Sequence, residues 1–357
     1  MTTLHQAIPV LDPGDAASNH ALEVQRLLRS MGVESEIYTD RVHSDLAGRA
    51  QDSSEFTGGA LLYQFAIGSP LADRLAAGRG PLAINFHNLT PPEFFEGWDV
   101  GLVHGTRWGL AQLDRLADRC SLAVAVSEFN RRELVARSYR NTAVAPLLVD
   151  VEAFDRALDD ATRRRLEVLK REGGSDWLFV GRIVPNKAQH DLVKAFAVYR
   201  RHFDGRARLW LVGGASVALY ERALRKTVSA LGLDEAVTFT GAMGLGALAA
   251  HYASADVFVC LSRHEGFCAP ILEAFHHGVP VVAAAEAAIP ETLGGAGVLL
   301  PDRSPETAAC AVRRVLTDTA LRSELVAAGR RRLADFSLPT ARARMADALA
   351  DFLREIS

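Results

Sequence analysis

Long apolar runs are absent from this chain: nothing approaches the roughly 18 uninterrupted apolar residues that a bilayer-crossing helix needs. The opening segment, MTTLHQAIPVLDPGDAASNHA, has neither a basic start nor a continuous apolar core. No signal peptide is read from it, and a cytoplasmic setting is expected. Cysteine is scarce; Cys120, Cys260, Cys268 and Cys310 form neither a CxxC pair nor a disulfide framework and read as reduced thiols. Neither sign of charge is in large excess, since 40 Lys and Arg against 43 Asp and Glu leave a net charge of −3. Bulk attraction for nucleic acid or an anionic membrane is thereby excluded, and no nucleic-acid partner is expected. The basic and apolar stretch 131–140 leaves peripheral membrane contact open, but a solvated helix face fits it better. A dinucleotide GxGxxG, a P-loop, an HExxH pair and a GxSxG elbow are all missing. No metal and no cofactor are therefore expected, and any phosphate binding must come from a few placed cations.

What is present is a globular balance, 49% hydrophobic and 23% charged, over 357 residues, which suits two α/β domains. Short apolar runs alternate with helical patterns from end to end, as in parallel sheets wound through helices. Strand-like runs fall at 5–10, 35–38, 60–65, 82–86, 100–103, 122–126 and 142–145, then at 177–180, 209–212, 237–239, 257–261, 279–283 and 297–300. Residues 19–31 carry a helical stripe, and Ser127 is placed to cap a helix over 128–137. A hydrophilic bridge, 161–176, ends in Gly173-Gly174. The expected division is an N-terminal domain over 1–172, a C-terminal domain over 173–339, and an amphipathic tail helix, 340–357, able to reach back to the N-terminal domain. In doubly wound domains ligands bind at the carboxyl ends of the strands, so chemistry is sought in loops that follow strands.

The richest such loop is SRHEGFCAPILEAFHHGVPVV, 262–282. Glu265 stands in the loop, Gly266 allows close backbone approach, and Pro270 sits at the first turn of a helix that carries Glu273. Unpaired N–H groups at that helix start favour an anion. Two carboxylates flanking it are placed to grip hydroxyls on either side of a bound diphosphate. The same spacing also fits an ordinary strand–loop–helix with two solvated glutamates.

A second loop lies in FVGRIVPNKAQHDLVKAF, 179–196, where Gly181 turns the chain and Arg182 and Lys187 precede a helix over 188–199. A guanidinium fork and a mobile ammonium suit a diphosphate, and they equally suit solvent. Gly213 and Gly214 end a strand with bare backbone against which a nucleotide fits. In the first half His87 follows the strand-like run 82–86, where it can polarise a hydroxyl or hold a sugar. Gly14 and a capping Ser18, after the first strand, are placed for acceptor or phosphate.

Glu265 and Glu273, separated by seven residues in the context EGFCAPILEAFHHGVPV, resemble the EGFG-x-P-x-x-E-A-x-x-x-G-x-P-V segment of the retaining GT-B glycosyltransferases of the GT4 type, also called glycosyltransferase group 1. Gly181, Arg182 and Lys187 match that family's G-R-x-x-x-x-K element. The resemblance implies two Rossmann-like, doubly wound parallel-sheet domains and an interdomain cleft. It gives Glu265 to the transferred sugar, Glu273 to the ribose, and Arg182 and Lys187 to the departing diphosphate, in place of a metal. Gly266, Phe267 and Cys268 then line the diphosphate, with Leu272 on the same helix. Met243, in the loop 240–243, lies beside the nucleobase, and Ala288-Ile289-Pro290-Glu291 matches an I-P-E turn whose Glu291 reads as a cap. Cys268 departs from the family's usual glycine and reads as a small residue rather than a nucleophile. The family often has a histidine near the reacting centre, where His87 falls. Asp150-Val151-Glu152 is assigned no metal.

The activity so implied is metal-independent, retaining transfer of a hexose from a UDP- or GDP-sugar, a substrate rather than a cofactor, to a carbohydrate, lipid-linked or small-metabolite hydroxyl. A phosphorylase or an epimerase of the same fold, and a catalytically silent binding subunit, are the alternatives.

Overall fold

The computed structural model describes residues 2–157 and 159–357. It divides into two compact units, Met1–Glu96 with Val100–Val149 and Phe336–Ser357, and Asp150–Asp335 with Gly97–Asp99. Each holds a parallel sheet alternating with helices.

The first sheet comprises β1 (His5–Leu11), β2 (Ile37–Val42), β3 (Gln51–Asp52), β4 (Leu61–Phe65), β5 (Leu82–Phe86), β6 (Leu122–Ala125) and β7 (Thr142–Val144). Their order is β3-β2-β1-β4-β5-β6-β7, and neighbours pair in parallel. β4 and β5, LLYQF and LAINF, are buried along their whole length, as expected of strands covered by helices on both faces. The run 100–103, expected to be a strand, instead opens the helix Val100–Leu116. Its buried positions Thr106, Gly109, Gln112, Leu113 and Leu116 recur at helical spacing, and that periodicity outweighs a four-residue apolar run.

The last helix, Leu338–Glu355, starts at a Ser337 cap and belongs to the first unit. Ala341, Met345, Leu349, Phe352 and Leu353 sit in one apolar cluster with Leu4, Val24, Leu28, Leu122 and Val124. Arg342 donates to Glu23 at 2.7 Å.

The second sheet comprises β8 (Asp176–Val180), β9 (Arg208–Val212), β10 (Val237–Gly241), β11 (Val257–Cys260), β12 (Val281–Ala284) and β13 (Val298–Leu300), in the order β10-β9-β8-β11-β12-β13 and parallel throughout. The division between the units falls at Val149/Asp150, upstream of the Gly173 expected from the sequence. The hydrophilic bridge is mostly the helix Asp160–Arg171, and its Lys170 ties it to the second unit by donating to Asp176 and Asp256. The chain leaves β8 toward β9 and returns to β11 on the other side, so the topological switch point lies between β8 and β11. In an open α/β sheet, that crevice is where a ligand binds.

Candidate functional site

The loops that follow β8 and β11 carry Arg182, Lys187 and Glu265, and backbone hydrogen bonds fix them first. Gly181 N donates to Val212 O at 2.9 Å, Ile183 N to Gly214 O at 2.9 Å, and Gly213 N to Gly241 O at 3.1 Å. The ends of β8, β9 and β10 are thus laced together beyond the ladders themselves. Gly213, at φ +141°, would place a Cβ 2.2 Å from Gly181 O, so only glycine lets these two loops approach.

The two loops flanking the switch point are joined by three further contacts. Arg263 N donates to Asn186 O at 2.8 Å, and Asn186 Nδ2 donates to His264 O at 3.1 Å. Between them, Lys187 Nζ donates to both oxygens of Glu265 at 2.6 Å. Burial works against the Lys187 charge, but the Glu265 carboxylate outweighs it and holds the ammonium above its ordinary pKa. Arg182, by contrast, is exposed, and its guanidinium makes no hydrogen bond or ion pair to a described residue; only its carbonyl is engaged, by Gln189 Nε2 at 2.8 Å. The site therefore holds one committed cation and one free to meet an anion. The helix expected from 188 runs Gln189–His202, because Ala188 itself is left-handed at φ 51°.

Beyond Glu265, Gly266 leads to Phe267 and Cys268, and Cys268 adopts φ +69°, a conformation that favours glycine. Thr292 Oγ1 donates to Phe267 O, and Ala288 N donates to Glu265 O at 3.2 Å, so the turn at 288–291 braces the loop. Glu273, half-buried on the helix Pro270–His276, accepts from Tyr252 Oη at 2.7 Å. Burial pushes its pKa up to about 7, against the lowering effect of the Tyr252 hydrogen bond. Gly213, Gly214 and Met243 are half-buried at the ends of β9 and β10. Leu272 corrects the sequence reading: it is fully buried, facing the core from its helix, and has no surface for a ligand. Asn186 and Tyr252 carry no motif signal, and only the fold brings them to the site.

In the first unit, Gly14 (φ +78°) lies in the loop after β1. Asp15, not Ser18, caps the following helix: Ser18 N donates to Asp15 Oδ2 at 2.9 Å. The Ser18 hydroxyl is engaged inside the loop, accepting from Asp12 N at 3.0 Å and donating to Asp15 Oδ2 at 3.0 Å. His87 closes β5, with Nε2 2.7 Å from Gln64 Oε1 and its ring 5.2 Å from that of His20. Burial pushes its pKa down to about 4, so it is neutral at physiological pH. Asp150 is occupied by Ala153 N and Arg156. Arg131, in the stretch 131–140, forks onto Glu128 at 2.7 Å. Among the described residues no helix is long and apolar enough to cross a membrane.

Known proteins resemble this chain in sequence and in fold. Residues 174–318 match the family described as glycosyl transferases group 1. A GDP-mannose-dependent alpha-(1-6)-phosphatidylinositol monomannoside mannosyltransferase of Mycobacterium tuberculosis is 34% identical, over 81% of this chain and 74% of the relative. A D-inositol 3-phosphate glycosyltransferase of Frankia alni is 30% identical, over 92% of this chain and 93% of the relative. Anabaena HepE, solved in complex with UDP-glucose, matches with a TM-score of 0.79 at 18% identity, over 98% of this chain and 100% of that one. WaaG, a glycosyltransferase involved in lipopolysaccharide biosynthesis, matches at 0.72 and 14% identity, over 96% and 98%. The two structures share this chain's fold, the GT-B pairing of Rossmann-like domains.

Proposed function

The chain belongs to the group 1 glycosyltransferases, enzymes of GT-B fold that use nucleotide sugars, and from that premise we propose that it moves a hexose from a nucleoside-diphosphate sugar to an acceptor hydroxyl, without a metal and with retention at the anomeric carbon. The observation that carries the reading is the Lys187–Glu265 pair across the switch point between β8 and β11. A donor diphosphate offers Lys187 a stronger anion than Glu265 does, and the sugar offers Glu265 hydroxyl donors. Donor binding thus exchanges one buried ion pair for two charge-assisted contacts, each worth roughly 1.5–3 kcal/mol. Arg182 adds the second cation that the departing diphosphate needs, which is the electrostatic work done elsewhere by a metal. Backbone N–H groups of Gly266, Phe267 and Cys268 face the same phosphates, and Glu273 accepts from the ribose hydroxyls. Gly181, Gly213, Gly214 and Met243 flank the nucleotide.

Glu265 is committed to Lys187 rather than presented as a free nucleophile. Front-side displacement through an oxocarbenium-like state fits that arrangement, with the acceptor hydroxyl entering on the face the diphosphate leaves. His87, neutral, is assigned to hydrogen-bond that hydroxyl or the sugar. The 34% identical relative is named for GDP-mannose, and both relatives are named for inositol-bearing acceptors. GDP-mannose and an inositol-bearing polyol are therefore the first pair to assay, with UDP-glucose as the alternative donor. The test is turnover in EDTA, followed by proton NMR of the product's anomeric centre. An axial product from an axial donor bond, formed at full rate in EDTA, supports the proposal. An inverted product refutes retention, and activity restored only by a divalent ion refutes metal independence.

A further inference from the structure

Two thiols stand beside Glu265 that the transfer reaction does not use. Cys260 ends β11, and Cys268 precedes the helix Pro270–His276; they are 1% and 6% exposed. Their sulfurs lie 3.9 Å apart. Cys260 Sγ, Cys268 Sγ and a Glu265 carboxylate oxygen all fall within 4.8 Å of one another.

The sulfur separation discriminates between two uses of such a pair. A disulfide bond is about 2.05 Å long, so the two sulfurs as they stand are unbonded neighbours. Two thiolates bound tetrahedrally to a zinc-type ion, with metal–sulfur bonds of about 2.3 Å, stand roughly 3.8 Å apart. The observed spacing matches that of two thiolates on one shared metal ion. Charge points the same way. Two thiolates and the Glu265 carboxylate carry three negative charges and the Lys187 ammonium one positive, leaving the charge that a divalent cation cancels. Glu265 has two oxygens, so one can turn to the metal while Lys187 keeps the other.

We infer that Cys260, Cys268 and Glu265 form a binding site for one soft divalent cation of the zinc and cadmium class, which competes with the sugar end of the donor. Loading releases the thiol protons to solvent and leaves the fourth position of the ion to water. The competition rests on the assignment of Glu265 to the sugar made above; the metal site does not.

The experiment is titration of the reduced, metal-free full chain with cadmium, followed by the thiolate-to-cadmium charge-transfer absorption. Cys260→Ala and Cys268→Gly are the variants, glycine being suited to φ +69°. Far-UV circular dichroism and a cooperative melting transition without ligand certify each variant as folded. The expected result is a band that saturates at about one equivalent and is weakened tenfold or more in apparent affinity by either substitution. A wild-type protein with no such band, or a band kept by both variants and so arising from Cys120 or Cys310, overturns the site. Adding the donor sugar nucleotide is expected to displace the ion. A thiol-dependent band that a bound donor leaves untouched upholds the metal site and refutes the placing of the sugar on Glu265.

Discussion

Lys187 and Glu265 keep only 19% and 7% of their side-chain surface in contact with water, so each depends on the other for its charge. Removing one member of a buried pair strands the other at a cost of about 3–5 kcal/mol, whereas removing both is far milder. Lys187→Ala and Glu265→Ala are accordingly expected to lower the melting temperature markedly, and the double variant to recover much of the loss. Additive losses in that cycle would mean that the two charges are not coupled. Because Lys187's pKa is held above its ordinary value, the pair's contribution is fully present through the neutral range. On the alkaline side it is lost as the pH rises through the folded-state value of Lys187.

Glu273 behaves in the same sense but over a lower pH window. Its pKa, pushed up to about 7, means that the folded state keeps a proton which the unfolded chain gives up from about 4.5, so its contribution to stability declines as the pH rises through that window. A ribose needs the ionised form, since its hydroxyls are donors. Nucleoside-diphosphate affinity should therefore rise with pH up to about 7 and then level off. Calorimetric titration of GDP or UDP across this range checks it, with Glu273→Gln expected to bind more weakly and without the slope; an unchanged slope in the variant would assign the titration elsewhere. Both glutamates, with Arg182 and Lys187, were legible in the sequence because each loop compresses its functional residues into one short segment. Asn186 contacts a residue 78 positions away and Tyr252 one 21 positions away, and neither pairing leaves a local pattern. Leu272 shows the converse error, a residue within a functional motif that faces the core.

Among elements, the strands were the most readable, because parallel strands covered on both faces appear as unbroken apolar runs. The first helix after β5 was read wrongly at 100–103, since four apolar or small residues give no period of their own, and only the register through Leu116 identifies the helix. The hydrophilic bridge was likewise helical, with just Leu166 buried, too little apolar surface to show a stripe. What no propensity reveals is how closely strand ends approach one another. The Cβ that Gly213→Ala adds would lie 2.2 Å from Gly181 O and 2.7 Å from Gly181 C, both backbone atoms that cannot swing aside. The ends of β8 and β9 must then separate, breaking the Gly181 N to Val212 O bond and displacing Arg182. Gly213→Ala should therefore abolish measurable nucleotide binding and lower the melting temperature, whereas Gly205→Ala, which meets nothing within 4 Å, should do neither. Nucleotide titration of the two variants side by side decides the point, and equal behaviour would remove the close approach from the account.

At the scale of the molecule, the chain's order and its folding units do not coincide. Phe336–Ser357 follows the entire second unit yet belongs to the first, so the first unit cannot complete its core until the last residues are available. Met345, Leu349, Phe352 and Leu353 are all buried there, and full burial is worth about 1.5–3 kcal/mol for each such side chain. Their sum, even discounted for a compact unfolded chain, is of the same order as the 5–15 kcal/mol that separates an ordinary domain from its unfolded state. A chain ending at Asp335 also leaves Glu23, only 8% exposed, without its Arg342 partner. Deleting 336–357 is thus expected to unfold the first unit selectively. In hydrogen exchange read by mass spectrometry, peptides from β1, β4 and β5 should lose protection while those from β8, β9 and β11 keep it. Uniform loss across both units would show that the second unit depends on the first. Retained protection in β1 and β4 would show that the terminal helix is dispensable to the core it covers.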